Sequence, residues 1–153
     1  MPKKPTAYHR PESLDEALAL LAKPATFALA GGTRLLAGDV EGAVVDLQNL
    51  GLNRVEWADG RLHIGATTTL TNLSQALADQ PEATPAALLQ NGIAYAGPNT
   101  YRNAATLGGI IASRPADSEL LAALLVLDAE LALAGTITAA MTLADYLVTR
   151  LLA

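Results

Sequence analysis

The sequence predicts an α+β fold in two lobes: a small parallel α/β lobe over about residues 1–53, then a mixed-sheet lobe over about residues 54–153. Three observations predict it. Strand and helix patterns alternate through the first 50 residues, as in a parallel sheet with crossovers. An Asp59 and Gly60 pair between two short apolar runs then signals a hairpin, which opens the second lobe. Hydrophobic residues make up 51% of the chain but aromatics only 4%, so the core must be built from Leu, Ala, Val and Ile.

The elements follow in order. Tyr8 and His9 read as the first strand. Ser13, Leu14, Asp15 and Glu16 form a capping box, with Leu14, Leu18 and Leu21 along one helical face and a stop at Lys23 and Pro24. Residues 26–30 and 43–47 are short buried strands. The hairpin pairs residues 55–57 with 62–64. A helix capped by Thr71 carries Leu73 and Leu77 on one face; a second starts at Thr84 and Pro85 and ends at Asn91 and Gly92. Residues 94–115 form a long polar stretch, followed by a strong helix from Asp117 to about Leu127, a strand over 130–134 and a turn of helix from Thr142.

The net charge is −5, so there is no basic surplus to neutralise nucleic-acid phosphates, and an anionic ligand would rely on local main-chain amides. The absence of cysteine excludes disulfides, thiol catalysis and iron–sulfur clusters held by this chain. The N-terminus lacks the apolar stretch of a signal peptide. The longest apolar run, residues 120–127, falls well short of the ~20 residues that span a bilayer. A soluble cytoplasmic protein with neither membrane nor nucleic acid as partner is the expectation.

Two segments place paired glycines beside apolar runs. In the first, Ala30, Gly31, Gly32, Thr33 and Arg34 follow a strand directly. Paired glycines let main-chain N–H groups turn outward and approach a ligand closely, a geometry suited to a pyrophosphate. They equally suit a tight turn with no ligand, and the glycines alone do not choose between the two. In the second, Thr106, Leu107, Gly108, Gly109 and Ile110 follow Arg102 and Asn103 in a stretch long enough for a binding loop. Neither segment matches the G-x-G-x-x-G or glycine-lysine signatures of the common nucleotide folds.

These residues carry a resemblance. A-G-G-T-x-L-L after the second strand and R-N-x-x-T-L-G-G later resemble the two FAD loops of the molybdenum hydroxylase flavoproteins, the medium chains of xanthine dehydrogenase and carbon monoxide dehydrogenase. The likeness extends through residues 64–68, 119–125 and 127–130, in order and in register. It implies a two-lobed FAD-binding fold of the molybdopterin dehydrogenase or vanillyl-alcohol-oxidase type, with FAD as cofactor. It also implies Ala30, Gly31, Gly32, Thr33, Arg34, Thr106, Leu107, Gly108, Gly109 and Ile110 as cofactor contacts. Glu119 aligns with a family aspartate that contacts the cofactor, with Asp117 as the alternative; either carboxylate could instead cap its helix. The implied activity is electron transfer from the iron–sulfur centres of a partner subunit to an external acceptor, beside a molybdopterin subunit that does the substrate chemistry. No catalytic residue and no metal ligand is expected in this chain.

The chain departs from the family pattern in three respects. Ile110 stands where asparagine is usual, and Arg34 where serine or aspartate is common. Family members also run on through more of the second lobe and a C-terminal domain of about 100 residues. The sequence is therefore expected to be an incomplete half, completed by a separate chain, or a shortened paralogue serving as a non-redox binding or assembly module. Leu147, Leu151 and Leu152 are expected to form an exposed patch for a missing neighbour. His9 and His63 read as structural or surface residues, and Trp57 as a residue packing the lobes together; Tyr95 and Tyr101 could line a cofactor or pack in the core.

Overall fold

The structure is a computed structural model that describes residues 4–81, 84–135 and 138–149. The first 50 residues build a three-stranded sheet from β1 (Ala7–His9), β2 (Thr26–Leu29) and β3 (Ala43–Asp46), with α1 (Leu14–Leu21) between the first two strands. The strand order is β1-β3-β2 and both pairings are parallel, with Tyr8 and Phe27 both opposite Val44. The capping box holds α1 as expected: the Ser13 hydroxyl accepts from Glu16 N at 3.2 Å, and the Glu16 carboxylate accepts from Glu12 N at 3.0 Å. Leu29, Val40 and Val44, flanked by Leu35, form a small core on this sheet.

The hairpin pairs β4 (Val55–Ala58) with β5 (Arg61–Ile64), antiparallel. Its turn has φ of 52° at Asp59 and 73° at Gly60, both left-handed, as a tight two-residue turn matching strand twist requires. There follow α2 (Leu70–Leu77), α3 (Pro85–Ala94), α4 (Asn99–Arg102), α5 (Leu107–Ser113), α6 (Glu119–Val126), β6 (Glu130–Leu133), β7 (Ala139–Thr142) and α7 (Leu143–Thr149). Leu70, Leu73, Leu77, Ile93, Leu120 and Leu143 are almost wholly buried and form the larger core, aliphatic as the composition predicts. The result is the mixed α and β architecture with a parallel sheet that the alternation predicts.

Several elements differ from the sequence expectation. The cap of α2 is Thr69, whose hydroxyl accepts from Asn72 N at 3.2 Å, while Thr71 donates to Asn103 Oδ1 at 2.6 Å. Gly92 does not end α3. It lies buried where α3 crosses α6, and a Cβ there would come within 2.8 Å of Leu120 Cα. The polar stretch 94–115 is not a loop but carries α4 and α5; Thr106 caps α5 by accepting from Gly109 N at 3.1 Å, which offsets the poor helix propensity of two glycines. The cap of α6 is Ser118, accepting from Leu121 N at 3.2 Å, so neither Asp117 nor Glu119 fills that role. Strand β7, absent from the sequence reading, pairs antiparallel with β6, Leu131 opposite Met141.

Trp57 is 54% exposed on the hairpin and joins neither core. Tyr101 packs against the larger core, whereas Tyr95 is 74% exposed. Leu147 is partly buried against the same core, and Leu151 and Leu152 lie outside the described residues. Among the described residues, no helix is long and apolar enough to cross a membrane.

Candidate functional site

A parallel sheet presents its ligand-binding edge at the carboxyl ends of its strands, where the chain must turn away and main-chain groups lose their ladder partners. Arg10 follows β1, Ala30 follows β2 and Gln48 lies just beyond β3. All three line one cleft of about 510 Å³. Asn53, Thr67, Thr69, Asn72 and Asn103 complete its polar lining, with Gly31, Ala104 and Thr106.

Three segments meet there, and glycine is what lets them meet. A Cβ on Gly31 would lie 1.8 Å from the Ala104 carbonyl oxygen, so the first glycine loop touches the main chain of the second with no side chain between. Gly32 has φ of 71°, a left-handed conformation that turns the chain into a 3-10 turn (Leu35–Ala37). A Cβ on Gly108 would lie 2.7 Å from the Ala66 carbonyl oxygen. The segment around Thr67–Thr69 is zipped to the second loop by Leu70 N to Ala105 O at 3.0 Å, Leu107 N to Thr68 O at 2.9 Å and Gly108 N to Ala66 O at 2.9 Å. Gly31 and Gly108 thus have a packing reason to be glycine, independent of any ligand.

The two loops differ in what they offer. At the start of α5 every N–H is already engaged: Leu107 and Gly108 by the bonds just given, Gly109 by the Thr106 hydroxyl at 3.1 Å, and Ile110 by Thr106 O at 3.0 Å. In the first loop, the N–H groups of Gly31, Gly32 and Thr33 meet no acceptor among the described residues. The free donors are on the first loop.

The eleven residues implied by the resemblance are therefore not equivalent. Ala30, Gly31 and Thr106 line the cleft. Gly32, Thr33 and Arg34 continue the first loop, Arg34 exposed. The side chains of Leu107 and Ile110 point into the larger core, so Ile110 is explained by packing. Gly108 abuts Ala66, Gly109 is exposed, and Glu119 is exposed on the first turn of α6, outside the cleft lining. The sequence reading passed over Arg10, Gln48, Asn53, Thr67, Thr69, Asn72 and Asn103 as contacts. A signal existed for four of them: Arg10 and Gln48 sit just past parallel strands, Thr67 lies in a segment carrying the family likeness, and Asn103 stands in the R-N-x-x-T-L-G-G motif itself.

Thr67 is the most informative of these. Its hydroxyl is buried in the cleft lining and has no hydrogen-bond partner among the described residues. Buried polar groups are nearly always satisfied, so a ligand oxygen is a natural partner. Neutral amides, hydroxyls, free main-chain donors and one guanidinium suit the ribose and diphosphate of a dinucleotide. Thr68 Oγ1 is also buried and unpartnered, away from the cleft lining.

Behind the cleft lies Asp46, only 4% exposed. Its carboxylate accepts from the Tyr8 hydroxyl and, at 2.9 Å, from Gln48 N; Arg10 Nε lies 3.9 Å away. The hydrogen bond to Asp46 holds the Tyr8 phenol above its ordinary pKa. Among the described residues, no group of three His, Cys, Asp or Glu side chains is placed to hold a metal ion.

Comparison with known proteins identifies the family and the fold. Residues 4–151 match the FAD binding domain in molybdopterin dehydrogenase. The chain is 36% identical over 145 residues to the Uncharacterized protein YgfM of Escherichia coli (strain K12), covering 92% of this chain and 53% of that protein. Among solved structures, it superposes on reconstituted CO dehydrogenase from Oligotropha carboxidovorans with a TM-score of 0.83 at 26% identity, covering 95% of this chain and 52% of that one. It superposes on quinoline 2-oxidoreductase from Pseudomonas putida 86 with a TM-score of 0.81 at 25% identity, covering 95% and 53%. The chain spans about half the length of the curated relatives it matches. It belongs to the family of FAD-binding domains of molybdopterin dehydrogenases, whose cofactor is FAD.

Proposed function

We propose that this chain is the FAD-holding part of an electron-transfer flavoprotein in a molybdenum-containing hydroxylase or dehydrogenase. Its partners are then an iron–sulfur subunit and a molybdopterin subunit. Bound FAD supplies the redox chemistry, taking up electrons from iron–sulfur centres and releasing them to an external acceptor. The protein's own work is binding and orientation. The N–H groups of Gly31, Gly32 and Thr33 donate to the diphosphate, the Thr67 hydroxyl to a cofactor oxygen, and Asn53 and Asn103 fix the cofactor's position along the wall. The lobe boundary near residue 53 then runs through the cleft, with the cofactor between the lobes.

The observation that carries this reading is the buried, unpartnered Thr67 hydroxyl in a cleft edged by free main-chain donors. It is tested by titrating the chain with FAD and following the quenching of flavin fluorescence. Thr67→Val keeps the shape of the side chain and removes the hydroxyl. It is expected to weaken FAD binding about tenfold, as loss of one buried hydrogen bond does. Unchanged affinity would contradict the assignment.

A further inference from the structure

Of the residues lining the cleft, Arg10 alone carries a charge. Its position follows from the sheet: β1 pairs with β3 through His9 and Val45, so Arg10 emerges beside Asp46 at the carboxyl edge. Asp46 is buried at the end of β3, opposite Leu29 of β2. A buried carboxylate is costly unless its oxygens are satisfied. Here Tyr8 donates to Oδ2, Gln48 N donates to Oδ1 at 2.9 Å, and Arg10 approaches Oδ2 through Nε at 3.9 Å. That last distance is too long for a hydrogen bond, so the guanidinium is steered without being sequestered. No hydrogen bond among the described residues uses its terminal nitrogens, and the side chain is 50% exposed. A guanidinium fork of this kind matches phosphate oxygens in a bidentate manner.

Resting on the FAD reading above, we propose that Arg10 is the cationic side chain that contacts the anionic diphosphate of the dinucleotide, beside the first-loop amides, and that Asp46 is its positioning residue. Asp46 orders two parts of the wall together, the Arg10 side chain through charge and the Gln48 main chain through its N–H. Tyr8 anchors the carboxylate from the other side. In a chain of net charge −5, one correctly aimed cation does what a basic field cannot.

The test is a set of dissociation constants for FAD and, by competition, for ADP and adenosine, at low and high salt. Arg10→Gln, at a half-exposed position where the fold is not at stake, is expected to weaken FAD and ADP about tenfold or more. It should flatten the salt dependence and leave adenosine, which has no phosphate, unaffected. Arg10→Lys should restore part of the loss. Asp46→Asn should weaken FAD and ADP by less than Arg10→Gln, and the double variant should bind no more weakly than Arg10→Gln alone. If Asp46→Asn does not fold, Tyr8→Phe is the second probe, expected to weaken FAD about threefold in the wild-type background and to have no effect beside Arg10→Gln. Wild-type protein that binds no FAD would overturn the functional reading itself. Wild-type protein that binds FAD while Arg10→Gln binds it within twofold would overturn this inference and leave that reading standing. Additive effects of the Arg10 and Asp46 substitutions would overturn the positioning role.

Discussion

At Gly31 the main chain leaves no room for even a methyl group, since a Cβ would sit 1.8 Å from a carbonyl oxygen of the facing loop. Gly31→Ala must push the two walls of the cleft apart, and a destabilisation of about 1–3 kcal/mol is expected from chemical denaturation. Gly38→Ala is the control: nothing lies within 4 Å of its Cβ position and its φ is −116°, so no measurable change is expected. Tyr8 is the second position that reports on the cleft wall. Its folded-state pKa is raised because the phenol donates to Asp46. The stabilisation from this contact is therefore complete below the ordinary tyrosine range and is lost as pH rises through the raised value. Alkaline titration followed by phenolate absorbance should show Tyr8 ionising later than free tyrosine, and Asp46→Asn should bring it back down. The exposed Arg61–Glu130 pair, 2.8 Å apart, lowers the Glu130 pKa. Its contribution is present above the ordinary carboxylate range and fades on acidification, and solvent screening keeps it small.

At the scale of elements, the contact between α3 and α6 turns on Gly92. A Cβ there would meet the α6 main chain at Leu120, 2.8 Å away, so Gly92→Ala should cost about 1–3 kcal/mol by denaturant titration with little change in the slope. Helix α5 depends on its Thr106 cap, and Thr106→Ala should cost about 1 kcal/mol. These positions also show why parts of the fold were legible and others were not. Signals that act over three or four residues, such as the Ser13 capping box, Thr84 with Pro85, and Asp59 with Gly60, read correctly because their chemistry is local. Gly92 reads as a terminator until another helix is laid across it. Thr71 competes with Thr69 for the same cap, and the outcome depends on Asn103, far away in the chain. Strand β7 is short and lies mostly exposed, so it has no clean alternation to betray it.

For the whole molecule, the candidate site is assembled from the carboxyl edge of one small parallel sheet and two later stretches of the chain, residues 67–72 and 103–106. The glycine loops were visible in the sequence because glycine pairs are conspicuous. Which of their donors remain free was not, because the Leu107 and Gly108 amides are consumed by Thr68 and Ala66, partners known only once the chain is folded. Asn53 and Asn72 were likewise hidden, since asparagine carries no distinctive spacing. Whether this cleft holds FAD is read from an absorbance spectrum of the purified chain after incubation with excess FAD and desalting. A retained oxidised-flavin spectrum in stoichiometric amount, diminished by Thr67→Val, is expected. A colourless protein after saturation with FAD would contradict it.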